Sequence, residues 1–348
     1  MKIGGHVANL DILRSVAVLA VFAAHSFQVM AGAKFGEHYA FGIDTYSLGR
    51  VGVLVFFVHT SLVLMQSLER MEARISGWPL VGAFYIRRAF RIYPLSICLV
   101  VLSIGLRIPP NALGISYQWR GMRWALANLF LVQNIADVNN ISSPLWSLPY
   151  EVQMYLLLPL LYVVLRARRR MLLFAGIYVI GAFLSLLHPL FRYFPCFLGG
   201  ILAYLLLGRV RPRFAGWLWY PAVTGVVIFY VCSPYSDGSW LKDVLICLLV
   251  GTLIPQFQNN RGPLTDGAAR VAKYSYGIYL CHTPLLWLIY QRLSIPDWQR
   301  AIWLFLAVGA VSVACYHAIE EPLINAGTRV AGRVARRRAP LMPAETKA

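Results

Sequence analysis

The chain has 348 residues, is 59% hydrophobic and only 13% charged, and carries a formal net charge of +18. Apolar runs of near-spanning length recur to its end, which excludes a water-soluble globular domain and marks a polytopic, all-α membrane protein. The arginines lie between those runs, where they set topology, so the charge does not imply nucleic acid as a partner.

The first element, Leu10 to Met30, is interrupted by Asp11, Arg14 and His25. Eleven residues are almost three helical turns, so Arg14 and His25 share a face, about 16 Å apart along the axis. Ionisable groups at membrane depth face a cavity or a partner, which makes this stripe the first candidate site. Ala31, Gly32 and Ala33 imitate a leader-peptidase site, but a cleaved leader on a soluble protein conflicts with the later apolar runs.

Arg50 to Met65 makes a second span, and Gln66 to Arg91 reads as a long basic loop containing Arg87, Arg88 and Arg91. Ile92 to Ile108 is the third span. Trp124 to Ile135 is apolar but short and reads as a partly inserted helix. Leu145 to Leu165, Met171 to Leu187, Tyr193 to Leu207, Trp217 to Cys232, Trp240 to Phe257, Tyr274 to Tyr290 and Ala301 to Ile319 follow as spans four to ten. The positive-inside rule then places both termini and the Arg87 to Arg91 stretch in the cytoplasm, with Arg14 in the inner half of its helix and His25 in the outer half. Trp119, Trp146, Trp240 and Trp298 fall near outer span ends, as in an aromatic belt. Residues 1–323 form one membrane domain, and 324–348 form a basic tail that is weakly amphipathic and suited to anionic lipid.

Several residues can carry chemistry. An imidazole at the depth of His25 can act as base toward a hydroxyl. Arg88 and Arg91, three apart with Arg87 beside them, would form a cationic fork for phosphate if helical, although a topology-setting run has the same spacing. The stretch WSLPYEVQMY, from Trp146 to Tyr155, brings Glu151 into the outer part of the membrane, where a carboxylate needs a partner. His282 lies within span nine, beside the local break implied by Pro284; His59 and His317 read as packing or hydrogen-bonding residues. The six cysteines lie in apolar segments as small packing residues, and no metal-ligand spacing, phosphate loop or nucleophile elbow occurs. The residues alone leave two classes open, a membrane transferase and a transporter or flippase, with the missing internal repeat counting against the second.

Taken in order, five stretches resemble the acyltransferase 3 family of integral-membrane O-acyltransferases: LDILRSVAVLAVFAAH, FYIRRAFRIYPL, LWSLPYEVQMYLLLPLL, YSYGIYLCHTPLL and IEEPL. The resemblance covers nearly the whole chain. It implies transfer of an acyl group, most often acetyl, from cytoplasmic acyl-CoA to a hydroxyl, commonly on a cell-envelope glycan, in the inner membrane; a small lipophilic acceptor such as a macrolide is a variant. It implies His25 as base or acyl carrier, Arg14, Arg88, Arg91 and Arg87 on the donor phosphates, and Glu151 orienting the histidine or the acceptor. His282, Trp146, Tyr155 and His59 support the acceptor, and no bound cofactor is expected beyond the acyl-CoA co-substrate. The family's second helix commonly reads Phe-Phe-Val-Leu-Ser-Gly, whereas this chain has Phe56, Phe57, Val58, His59, Thr60 and Ser61. The missing glycine should alter packing there, and His59 adds a polar group to the substrate pocket.

Overall fold

The computed structural model describes residues 8–32, 37–113, 115–233 and 239–337; Ala33, part of the polar turn at 234–238 and the end of the basic tail, 338–348, lie outside the described residues. The described helices are α1 (Ala8–Met30), α2 (Thr45–Glu72), α3 (Trp78–Gly105), α4 (Met122–Leu129), α5 (Leu148–Val164), α6 (Arg170–Leu187), α7 (Phe194–Leu206), α8 (Trp219–Cys232), α9 (Ser239–Leu253), α10 (Pro263–Trp287), α11 (Asp297–Cys315) and α12 (Glu321–Arg337). Two-residue strands, Tyr39–Ala40 and Ile43–Asp44, pair antiparallel before α2.

Each of the ten expected spans falls on one of these helices, and the short insert between spans three and four is the eight-residue α4. Among the described residues eight helical stretches are long and apolar enough to cross a membrane, and α8 is a shorter apolar helix. The 25-residue α10 lacks that apolar signature because it carries Asp266, Arg270 and Lys273 in its first half and Tyr274, Tyr276, Tyr279 and His282 beyond them. Tyr279 and His282 point inward and are buried. Outward faces are the reverse: Leu172, Val179, Ile180 and Phe183 of α6 are exposed, as lipid contact requires.

The centre of the bundle is α2, flanked by α1 on one side and α7 on the other, with α10 packed on α1. Gly52 lets α1 and α2 approach, since a Cβ there would stand 2.6 Å from the Ala17 carbonyl oxygen. On the other side of α2, Ser61 Oγ donates to the Phe197 carbonyl oxygen at 2.6 Å, and a Cβ on Gly200 would collide with the Val58 carbonyl. The glycine missing from α2 is therefore answered by one on α7, and the close helix contact is kept.

Two expectations require correction. The basic stretch Gln66 to Arg91 is not a loop, because α2 continues to Glu72 and α3 begins at Trp78. Polar residues end an apolar run without ending a helix; the break comes at Gly77, with φ of 68°, followed by Pro79 at the helix start. Arg87, Arg88 and Arg91 consequently sit more than two turns inside α3. Residues 324–337 of the tail are not a weakly amphipathic surface segment either. A π-helical turn, Tyr316–Glu320, joins α11 to α12, and α12 lies along α3 with Gly327, Ala331 and Ala335 buried and Arg329 and Arg333 exposed. Small residues every four positions let two helices approach while contributing little hydrophobicity.

Gly52→Leu should destabilise the protein by about 1–3 kcal/mol or more through overpacking. Gly225→Leu, where a Cβ meets nothing within 4 Å, should be neutral. Thermal unfolding of the two variants in one detergent checks the difference.

Candidate active site

Arg14 and His25 do share the inward face of α1, and they open onto two different cavities. Arg14 lines a cavity of about 790 Å³, mouth included, together with Arg88, Arg91, Glu151, Tyr155 and His59. His25 lines a second cavity, of about 1160 Å³, with Gln28, Tyr46, Arg50, Trp146 and Tyr193. Val53 of α2 and Tyr279 of α10 line both, so they form the wall between the arginine cavity and the histidine cavity. The Tyr279 hydroxyl is held by Ser147 Oγ at 2.7 Å, and its ring lies edge-on to Phe56.

In the arginine cavity, Arg91 Nη1 donates to Glu320 Oε2 at 2.7 Å, and its guanidinium lies 5.6 Å from the centroid of the Tyr276 ring. Glu320 is 2% exposed and sits on the π-helical turn before α12. The Tyr155 hydroxyl donates to the Glu151 carboxylate one turn earlier on α5. Arg88 lines the same cavity, with its Nε buried and unpartnered. Arg87 is not among the lining residues. Three guanidiniums with two carboxylates leave a net positive charge, which suits a phosphate-bearing ligand.

The histidine cavity is built differently. His282 packs on His25 with ring centroids 5.1 Å apart. The Nδ1 of His282 faces the Ile278 carbonyl oxygen at 3.1 Å, so the N–H sits there and the buried Nε2 is the free acceptor. Trp146 turns into this cavity instead of standing in a lipid-facing belt. Glu151, expected in the outer part of the membrane, lies with the arginines instead. The segment before α5 folds into the bundle, burying Ile141 and Leu145, so α5 starts deep.

The sequence reading missed the strongest charge pair. Arg50 Nε lies 3.0 Å from both carboxylate oxygens of Asp243, and Nη2 makes a further bond to Oδ2. The Tyr230 hydroxyl donates to Asp243 Oδ1 at 2.5 Å, and the guanidinium stands over the rings of Tyr46 and Tyr193. Both charges lie in apolar runs and could have been flagged for that reason, but a partner 193 residues away is not readable.

Residues 7–319 match the family described as Acyltransferase domain, the acyltransferase 3 group. The chain belongs to the acyltransferase 3 family.

This acyltransferase is 24% identical to Nodulation protein 10 of Rhizobium leguminosarum bv. viciae, in an alignment that covers 94% of the chain and 96% of the relative. It is 30% identical to the acyltransferase MdmB of Streptomyces mycarofaciens over 45% of the chain and 40% of that protein. No solved structure gives a significant match. The protein is thus a multi-pass membrane enzyme that transfers an acyl group.

In this acyltransferase the Arg50–Asp243 pair ties α2 to α9 beside the histidine cavity. Asp243→Ala leaves a buried guanidinium unpaired and should cost about 3–5 kcal/mol. Arg50→Met combined with Asp243→Leu should recover most of that loss, and thermal unfolding of the single and double variants measures it.

Proposed function

We propose that the protein is an O-acyltransferase of the inner membrane that moves an acyl group, acetyl in the first instance, from cytoplasmic acyl-CoA to a hydroxyl of a cell-envelope carbohydrate. The observation that carries this reading is the shared wall: a cationic cavity and a histidine-bearing cavity meet at Val53 and Tyr279. Arg14, Arg88 and Arg91 bind the donor phosphates, and the pantetheine arm directs the thioester toward that wall. The acceptor occupies the cavity of His25 with its hydroxyl against the imidazole. His25 takes the hydroxyl proton as the acceptor oxygen attacks the thioester carbonyl. The carbon–sulfur bond breaks, and the departing thiolate recovers a proton to leave as free CoA. The same geometry accommodates a variant in which His25 carries the acyl group between the two substrates.

His282 keeps the His25 ring in place, and Glu151, paired with Tyr155, supports the arginines. Trp146 and Tyr193 offer aromatic faces to a sugar ring. With both termini cytoplasmic, the arginine cavity opens to the side where acyl-CoA is made, and the acceptor approaches from the opposite face.

His25→Ala should abolish transfer of label from radiolabelled acetyl-CoA to envelope glycan in membranes while the protein inserts and accumulates normally. Label transfer at the wild-type rate in that variant rejects the role of His25. Arg88→Gln removes a charged contact worth about 1.5–3 kcal/mol, roughly 10- to 100-fold in affinity. Calorimetric titration of the purified protein with acetyl-CoA should show that weakening, and an unchanged Kd returns Arg88 to a topology-setting role.

A further inference from the structure

The histidine cavity continues into a polar bay of about 810 Å³, with which it shares Tyr46, Arg50, Trp146 and Tyr193. The remaining lining is Gln133, Asn134, Asn140, Arg192, Tyr150 and Val138, without a carboxylate. The two arginines of the bay are not equivalent. Arg50 is neutralised from behind by Asp243, whereas Arg192, in the turn before α7, has no ion-pair partner among the described residues. An arginine on the face that the topology leaves poor in cations is not explained by the positive-inside rule.

The amides beside it have their orientation fixed by hydrogen bonds. Gln133 Nε2 donates to Asn140 Oδ1 at 3.2 Å and to the Leu145 carbonyl oxygen at 2.9 Å. Gln153 Nε2 donates to Asn134 Oδ1 at 3.1 Å. With their oxygens engaged, Asn134 and Asn140 present Nδ2 donors. Asn134 Nδ2 is buried with the Tyr150 hydroxyl beside it, and Oε1 of Gln133, a residue 2% exposed, is buried without a partner. Buried polar atoms in native proteins are nearly always satisfied, so the Gln133 oxygen calls for a ligand that donates to it, while the second N–H of Asn134 remains for an acceptor. Trp146, Tyr150 and Tyr193 stand beside them, Tyr150 edge to face with the other two and Trp146 tilted against Tyr193, with centroids 4.9–6.5 Å apart, and offer an aromatic wall to a sugar.

We propose that this bay is an anion subsite for the acceptor, in which Arg192, Asn134 and Asn140 hold a carboxylate or phosphate carried by a sugar while Gln133 accepts from one of its hydroxyls. The inference rests on the acceptor reading above and narrows it to anionic carbohydrate. A guanidinium matches both anions, and the amide donors fill the coordination that it leaves open.

The test uses the full-length protein in lipid nanodiscs and three probes: methyl β-D-glucuronide, methyl β-D-glucoside 6-phosphate and methyl β-D-glucoside. Calorimetric titration should give at least a tenfold tighter Kd for one of the anionic sugars than for the neutral one, and the tighter of the two identifies carboxylate or phosphate. Arg192→Gln should remove that preference while the Kd for the neutral sugar and for acetyl-CoA is unchanged, and Arg192→Lys should retain part of it. Equal affinity for the three sugars, no binding of any of them, or a preference that survives in Arg192→Gln overturns the proposal. Acetyl transfer from labelled acetyl-CoA is followed in parallel. A charge preference lost in Arg192→Gln without transfer to any sugar upholds the subsite and rejects the acceptor reading, and equal transfer to charged and neutral sugars does the opposite.

Discussion

A charge inside a lipid-embedded bundle has to meet an opposite charge, a hydrogen-bonding partner or a cavity, because the surrounding hydrocarbon offers none of these. The internal ion pairs follow that constraint, and each joins helices distant in sequence. Arg50 and Asp243 join α2 to α9, with Tyr230 of α8 closing the carboxylate. Arg91 and Glu320 join α3 to the turn before α12. Arg14, Arg88 and Glu151 come from α1, α3 and α5 and meet around open space instead of forming a closed pair. The first pair has the geometry of a support, and the second fixes Arg91 where it lines the arginine cavity. The third is the exception, and an unclosed cluster of charge is what a site for a charged ligand requires.

The same constraint accounts for the division into two cavities. In one common chamber the guanidiniums would act directly on the imidazole. Val53 and Tyr279 keep the compartments apart while leaving them adjacent. Tyr279 is held by Ser147, from the turn that leads into α5, and its neighbour one helical turn back, Tyr276, bonds the Ile92 carbonyl of α3 at 2.5 Å. The tyrosines of α10 therefore hold the wall in register with the helix that carries the arginines.

The part of this arrangement that is periodic could be read from the sequence. The Arg14–His25 stripe follows from 3.6 residues per turn, and the spans follow from runs of apolar residues. The parts that escaped have physical causes. Helix α3 was cut short because Arg87, Arg88 and Arg91 interrupt its apolar run, which lowers hydropathy but not helicity. Glu151 and His25 looked like neighbours because both lie toward the outer ends of their runs, and only the infolded segment around Ile141 and Leu145 assigns them to different cavities. The amides of the polar bay carry no sequence signature at all. Gln133, Asn134 and Asn140 belong to an irregular segment whose fold is set by its own side-chain bonds, such as Asn128 accepting from the Ile141 backbone amide.

The last helix shows how a support can pass for a tail. Glu320, Gly327, Ala331 and Ala335 fall on nearly one side of a helix, and that side faces α3: Glu320 meets Arg91, a Cβ on Gly327 would run into Phe90, and Val334 lies by Gly82. The two helices run antiparallel, so the small-residue contact at one end is continued by an ion pair at the other. Small side chains allow close backbone approach, and the dispersion gained along that line holds α3 in place just where Arg88 and Arg91 project. The exposed Arg329 and Arg333 gave the segment its appearance of a basic tail, but they are only its outer face. The acidic residue before the final glutamate and proline thus acts through geometry: it sets where Arg91 stands, and α12 sets where α3 can carry it.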